Sequence, residues 1–415
     1  MTTPSGIDPR RIYWANGLMQ GVAFGAYGLA AVVWWVVDLE LSPIRLIVLG
    51  TVMELVVLLA ESPTGVVADV FSRKWSIVLS WVIMGTAQIL SPISTLLPVL
   101  LIWQALWGFG YTFQSGADTA WVTDESGESS DSLVMGRAIA TSIGVIIGIG
   151  GSVALAQWSL RGAMVGSGVV ALLFAGWLAR TMTEHSYTPV DRESRSTSAA
   201  MIDTWRRGFR LVRRVRVLRI LMVATLLVSM VDEAVDRLDL LRMRELGFPD
   251  LDGAGSATVF GAVWVGMTLL TLPVMIYYAR RDVDPSDRRS AGLMAGFLAI
   301  GAVGIGFMAG SIFALAVLGW VLRDVFREVV EPIGEAWFNR HAESSIRATV
   351  ISFRTQSMAL GELLGGLLLG AVAELVSLRV TFALAAVLLA VAAAQVGRLL
   401  LDRYGPGAGV AMTQT

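Results

Sequence analysis

The chain has 415 residues, 55% hydrophobic and only 16% charged, with a mean hydropathy of +0.67. A soluble domain carries about 25% charged residues, so this composition points into a membrane. The net charge of −1 excludes a nucleic-acid binder, whose partner demands a basic surface, and the absence of cysteine excludes disulfides, thiolate metal sites and cysteine catalysis.

The N-terminus, MTTPSGIDPRR, is short and polar and does not read as a signal peptide, because the apolar run after it is too long and lacks a cleavage-like end. A bilayer-spanning helix needs about 20 largely apolar residues. Twelve such runs are predicted, over 12–37, 44–68, 75–95, 98–121, 133–158, 162–180, 217–240, 256–279, 290–309, 312–337, 348–374 and 378–401. The fold class expected is therefore all-α and integral to the membrane, with twelve transmembrane helices. The break at 181–216 divides them six and six, into an N-terminal bundle over 12–180 and a C-terminal bundle over 217–401. Segments 1–11, 181–216 and 402–415 become a tail, a basic linker and a second tail.

Arginine sets the expected topology, because cytoplasmic loops concentrate Lys and Arg. Alternate loops hold Arg10 and Arg11; Arg73 and Lys74; Arg280, Arg281, Arg288 and Arg289; Arg340 and Arg347; and Arg398 and Arg403. From Arg180 to Arg219 there are ten arginines against four acids. Both termini are thus expected in the cytoplasm, with the acidic 38–42 (DLELS) outside. In the linker, Trp205, Phe209, Val212 and Val215 fall at helical spacing among arginines, which fits an amphipathic helix on an anionic leaflet, or a plain basic linker. The halves echo each other weakly: Ala120-Trp121 and Arg137-Ala138 precede Gly150-Gly151, as Ala336-Trp337 and Arg347-Ala348 precede Gly365-Gly366.

Charge inside a spanning helix costs about 2.5–3.5 kcal/mol per group, so it faces protein or water and marks a candidate site. In the tenth run Arg323, Asp324, Arg327, Glu328, Glu331 and Glu335 project within about 140° of one another. In the seventh, Asp232, Asp236 and Asp239 share a face, with Glu233 and Arg237 beside them. Carboxylates four apart repel unless an arginine intervenes, and Asp232, Asp236 and Asp324 are the proton-coupling candidates. The structural alternative is a network closing the outer gate, with Arg237 and Arg242 as partners. Glu54, Gln104, Trp107, Tyr111, Glu233, Arg237, Arg323, Arg327, Glu328 and Glu362 are cavity or substrate candidates. Arg137 and Arg354 are read as structural partners as readily as functional ones. Glycine stripes at Gly17, Gly21 and Gly25, and at Gly144, Gly148 and Gly151, let helices approach closely in lipid.

No phosphate-binding loop and no H-E-x-x-H motif occurs, so an ATP-driven pump and a zinc hydrolase are disfavoured, and no cofactor or metal is expected. The stretch Glu61 to Lys74, ESPTGVVADVFSRK, carries Gly65 and Asp69 four apart, then Ser72, Arg73 and Lys74, at a junction between apolar runs. It resembles the loop between helices two and three of the major facilitator superfamily, G-x-x-x-D-x-x-G-R-K, with Ser72 at the glycine position. The resemblance, with the twelve runs and the basic linker, covers nearly the whole chain. It implies two pseudo-symmetric six-helix bundles and an inner gate made by Gly65, Asp69, Arg73 and Lys74, with Arg73 near Asp118 or Asp124 and Asp69 near the eleventh helix. SGADTAWVTDE and EAWFNR look like the bacterial branch assigned to efflux of drugs or small metabolites. The family's fourth-helix pattern aligns with Leu101, Gln104, Trp107, Gly108 and Gly110, where Gln104 replaces an arginine tied to proton transfer. Its fifth-helix pattern survives as Gly144 and Gly148, with Ile149 in place of proline.

The expected function is secondary active transport, proton-coupled efflux of a small, amphipathic compound by alternating access, from a monomer in the plasma membrane. Its partners are the substrate, protons and membrane lipids. An uptake symporter or facilitator is one alternative, and a transport-inactive sensor or scaffold is another.

Overall fold

The computed structural model describes residues 7–127, 130–185, 210, 212–248, 251–279, 287–341 and 347–400. Among these there is no strand, and thirteen α-helices follow one another: α1 Pro9–Val33, α2 Pro43–Val70, α3 Arg73–Leu90, α4 Leu97–Thr112, α5 Ala117–Ser126, α6 Ser130–Ala156, α7 Leu160–Thr181, α8 Arg216–Glu245, α9 Gly253–Ala279, α10 Asp287–Ala309, α11 Phe313–His341, α12 Arg347–Leu375 and α13 Leu378–Gly397. Most of the linker, including Trp205 and Phe209, lies outside the described residues.

Local chemistry explains where these helices start. Asp8 caps α1, its carboxylate accepting the Arg10 N–H at 2.9 Å, and Pro9 supplies the preset φ of a first turn. The Arg10 side chain beside it holds the Asp8 carboxyl below the usual carboxylate range. Ser72, Ser159 and Ser377 cap α3, α7 and α13 through their hydroxyls. At its far end α1 widens into a π-helical turn, Trp34–Asp38, in which Trp34 is buried and carries the Arg161 guanidinium over its ring at 5.2 Å.

Nine of the described helices are long and apolar enough to cross a membrane. The predicted runs that fall short are the fourth, seventh and tenth. The fourth is split: Phe113–Gly116 interrupts it, with Gly116 at φ +75°, a left-handed conformation that only glycine adopts cheaply. The seventh and tenth, α8 and α11, keep full length but spend it on aspartates and arginines. One local expectation is corrected. Gly65 does not sit in a turn between helices; α2 runs unbroken to Val70 through Pro63. Proline removes one rung of the ladder, and nearby the Thr64 hydroxyl reaches the carbonyls of Ala60 at 2.9 Å and Thr112 at 3.1 Å.

The backbone forms two compact units, Met1–Ser194 with Pro249–Leu272, and Arg195–Phe248 with Pro273–Thr415. The first part of α9 thus groups by proximity with the first unit, although its chain position follows α8. Within the first unit α1 lies along α6, α3 along α7 and α2 along α4. The α1–α6 approach is backbone to backbone: a β-carbon at Gly21 would collide with the Thr141 carbonyl, and one at Gly144 with that of Leu18. Glycine stripes permit this closeness where lipid offers no hydrophobic drive. Gly151, predicted to join the stripe, has nothing within 4 Å of such a carbon among the described residues. The second unit repeats the scheme, α8 along α12 and α10 along α13. There Gly365 faces the Met230 carbonyl as Gly144 faces that of Leu18.

Candidate functional site

In the second unit, α8 and α11 bring their polar faces together. Arg323 is 2% exposed, and its guanidinium meets three carboxylates: Asp232 at 2.5 Å, Asp236 at 2.5 Å and its neighbour Asp324 at 2.6 Å. Arg327, one turn along α11, reaches the other oxygens of Asp236 at 2.8 Å and Asp232 at 3.3 Å. The helical repeat dictates this match. Asp232 and Asp236 are four apart on α8, Arg323 and Arg327 four apart on α11, so two rungs of opposite charge fall opposite each other. Three carboxylates are thereby held by two guanidiniums, one negative charge more than the pairs balance.

Two further carboxylates of α8 lie outside that lattice. Glu233 accepts from Arg237 at 3.1 Å within the helix. Asp239 is 8% exposed, and its carboxylate accepts the Leu240 N–H at 2.5 Å. The gate-closing alternative names Arg237 and Arg242 as partners. Arg237 takes Glu233, and Arg242 caps the end of α10 by donating to the carbonyls of Met308, Ala309 and Gly310 while holding Glu245 at 2.7 Å. Glu362 lies half-buried on α12; the Glu328 side chain lies outside the described residues.

The first unit has its own buried pair. Arg137 of α6 binds Asp118 of α5 at 2.7 Å and donates to Gln20 at 2.6 Å. Asn16 donates to Asp118 at 3.3 Å and accepts from the Trp81 indole at 2.8 Å, tying α1, α3, α5 and α6 into one network. The Tyr13 ring lies under the Arg137 guanidinium, 5.4 Å away. Along α4, Gln104 is buried, and Trp107 and Tyr111 stack with ring centres 5.9 Å apart and planes within 7°. Gln114, at the α4–α5 break, is 2% exposed and finds no partner for either amide atom among the described residues. Glu61 accepts from Ser115 at 2.9 Å, and Glu54 is half-buried on α2.

At the α2–α3 junction Arg73 pairs with Asp124 of α5 and lies 3.5 Å from Asp69. Of the two expected partners for Arg73, Asp124 is the one found, and Asp118 goes to Arg137 instead. Lys74 extends over the Trp75 ring at 5.3 Å. A carboxylate missed from sequence completes the junction: Glu184, just past α7, accepts from the Lys74 N–H at 2.8 Å and the Ser72 hydroxyl at 2.5 Å. One orphan backbone donor at the start of α3, the Lys74 N–H, is thereby satisfied, and the anion sits at the positive end of the helix. Next to it, Glu125 accepts the His185 N–H at 2.8 Å.

Comparison with known proteins places the fold. Among solved structures, a mutant of the nucleoside transporter NupG superposes with a TM-score of 0.75 at 13% identity, over 94% of this chain and 98% of that one. A bacterial homologue of the human lysosomal transporter Spinster, inward-facing and unoccupied, gives 0.70 at 17% identity, over 97% and 100%. A POT family transporter in complex with 5-aminolevulinic acid gives 0.68 at 11%, over 93% and 94%. No curated protein sequence matches. The Major Facilitator Superfamily family model matches residues 13–283, well over half of the chain. The chain therefore belongs to the major facilitator superfamily, as a multi-pass membrane transporter and not an enzyme.

Proposed function

We propose that this transporter couples export of a small, amphipathic compound to protons, and that the coupling group is the cluster of Asp232, Asp236 and Asp324 on Arg323 and Arg327. One observation carries the reading: three carboxylates share two guanidiniums, with Arg323 fully buried among them. An excess charge in a low-dielectric interior is costly, and one proton removes it. Groups that trade a proton for a change in pairing are what a coupled transporter needs. As the twelve helices, in two six-helix bundles, alternate between inward- and outward-open states, the cluster opens to one side and then the other. Its proton count changes with the opening. Gln104 stands at the position the family resemblance assigns to a proton-linked arginine, so the coupling role falls to α8 and α11.

The junction of Gly65, Asp69, Arg73, Lys74 and Asp124 serves as the inner gate in this scheme, with both termini in the cytoplasm and the protein in the plasma membrane. Glu54, Trp107, Tyr111 and Glu362 contribute to the substrate path. A second reading is uptake of a small metabolite through the same architecture. Sidedness of accumulation separates the two. The test is reconstitution with a substrate found by screening: an imposed pH gradient, acidic on the external face, drives export, and flux indifferent to the gradient refutes proton coupling.

A further inference from the structure

The helix pair α10–α13 leaves a groove that nothing in the transport cycle uses. It is a shallow depression of about 600 Å³, open along its length and lined by Ala295, Ala299 and Ala302 of α10 and Ala386, Ala390 and Ala394 of α13. At its lip Val303 is 54% and Val387 58% exposed, so it opens onto the apolar outer surface of the unit. The equivalent pair in the first unit, α3–α7, fills its seam with aromatic rings: Trp81 stands edge-on to Phe174 at 5.0 Å, and Phe174 stacks on Trp177 at 5.3 Å. The second unit puts alanine and valine in this role and leaves space.

The groove has direction. From Ala295 to Val303 is eight residues, about 12 Å of helix, which fits within one leaflet of a bilayer core about 30 Å thick. Toward one end the two helices close, with Gly397 against Ala295 and Leu400 against Gly292. At that end stand Arg398, four residues past Ala394, and Arg289, six before Ala295. Both side chains are exposed, and Arg398 also donates to Gln395 at 2.9 Å. An apolar slot of leaflet depth with a cationic mouth matches a lipid with an anionic headgroup.

We infer that the α10–α13 groove seats an acyl chain of an anionic phospholipid whose phosphate lies between Arg398 and Arg289. The assignment is independent of which substrate is transported or in which direction. The experiment is native mass spectrometry of the full-length protein with a phosphatidylglycerol and a phosphatidylcholine of the same acyl chains. Wild-type protein is expected to retain phosphatidylglycerol preferentially. Arg398→Gln leaves the groove intact and is expected to lower that preference about fivefold, the contribution of one cation near an anionic surface. Ala390→Trp fills the slot and is expected to reduce retention of both lipids; Ala299→Leu does so with a smaller change of volume if the tryptophan variant fails to fold. Equal retention of the two lipids by wild type, or undiminished phosphatidylglycerol on both filled variants, overturns the assignment. The chain lacks cysteine, so Val387→Cys supplies a single reporter. Its disulfide cross-linking to a dimer in phosphatidylglycerol vesicles would show a second copy, not lipid, on this face and would also overturn it.

Discussion

Replacing Arg323 by methionine probes the α8–α11 lattice at its centre. The substitution keeps bulk but takes the central guanidinium away from Asp232, Asp236 and Asp324, while Arg327 still pairs with the first two. Removing one partner of a buried ion pair costs about 3–5 kcal/mol, because the charge left behind is uncompensated. That is a large part of a total stability of about 5–15 kcal/mol. If uncompensated charge is the cause, removing a carboxylate as well should restore stability. Arg323→Met with Asp232→Asn is expected to be more stable than Arg323→Met alone, with a coupling of about 1–3 kcal/mol. Arg327→Met, at a guanidinium 39% exposed, is expected to cost only about 1 kcal/mol. Unfolding in detergent, followed by tryptophan fluorescence, measures wild type, these three variants and Asp232→Asn alone, which completes the cycle. If the Arg323 and Asp232 effects simply add, the two side chains are not energetically paired and the argument fails.

Two other consequences are direct. Gly144→Val drives a side chain into the Leu18 carbonyl and is expected to cost about 1–3 kcal/mol or to abolish the folded, monodisperse protein, whereas Gly151→Val, on the same predicted stripe but facing open space, is expected to be neutral. Equal behaviour of the two variants would remove the α1–α6 contact as its cause. Asp69→Ala, at the Arg73–Asp124 junction, is expected to slow exchange across the membrane several-fold while substrate affinity holds; lost affinity at an unchanged rate would place Asp69 in the substrate site instead.

Helix positions were legible because hydrophobic length is a one-dimensional property. The twelve runs match the described helices within a few residues, apart from the interruption at Phe113–Gly116, where Gly116 turns left-handed within the polar tail Gln114–Thr119 of the fourth run. The pair within α8, Glu233 with Arg237, has the four-residue spacing that a helix brings together, although the sequence reading placed both only beside the aspartates. Pairing across helices was not legible. Both polar faces were visible in the sequence, yet nothing along α8 says that Asp232 and Asp236 meet Arg323 and Arg327 rather than the nearer Arg237 and Arg242. That choice depends on the axial register between α8 and α11. Glu184 was missed for the same reason, since its role exists only where the end of α7 returns to the start of α3. Gln114 carries no sequence signal at all: an amide becomes informative only once both its atoms are seen buried and unpartnered.

The central claim is that the carboxylates on Arg323 and Arg327 carry the coupling proton. Its most direct test is flux of the screened substrate in proteoliposomes, driven by a pH gradient, for wild type and for Asp236→Asn, with gradient-free exchange measured alongside. The account predicts that Asp236→Asn loses the gradient-driven component and keeps exchange. Gradient-driven transport by the variant at the wild-type rate would contradict it.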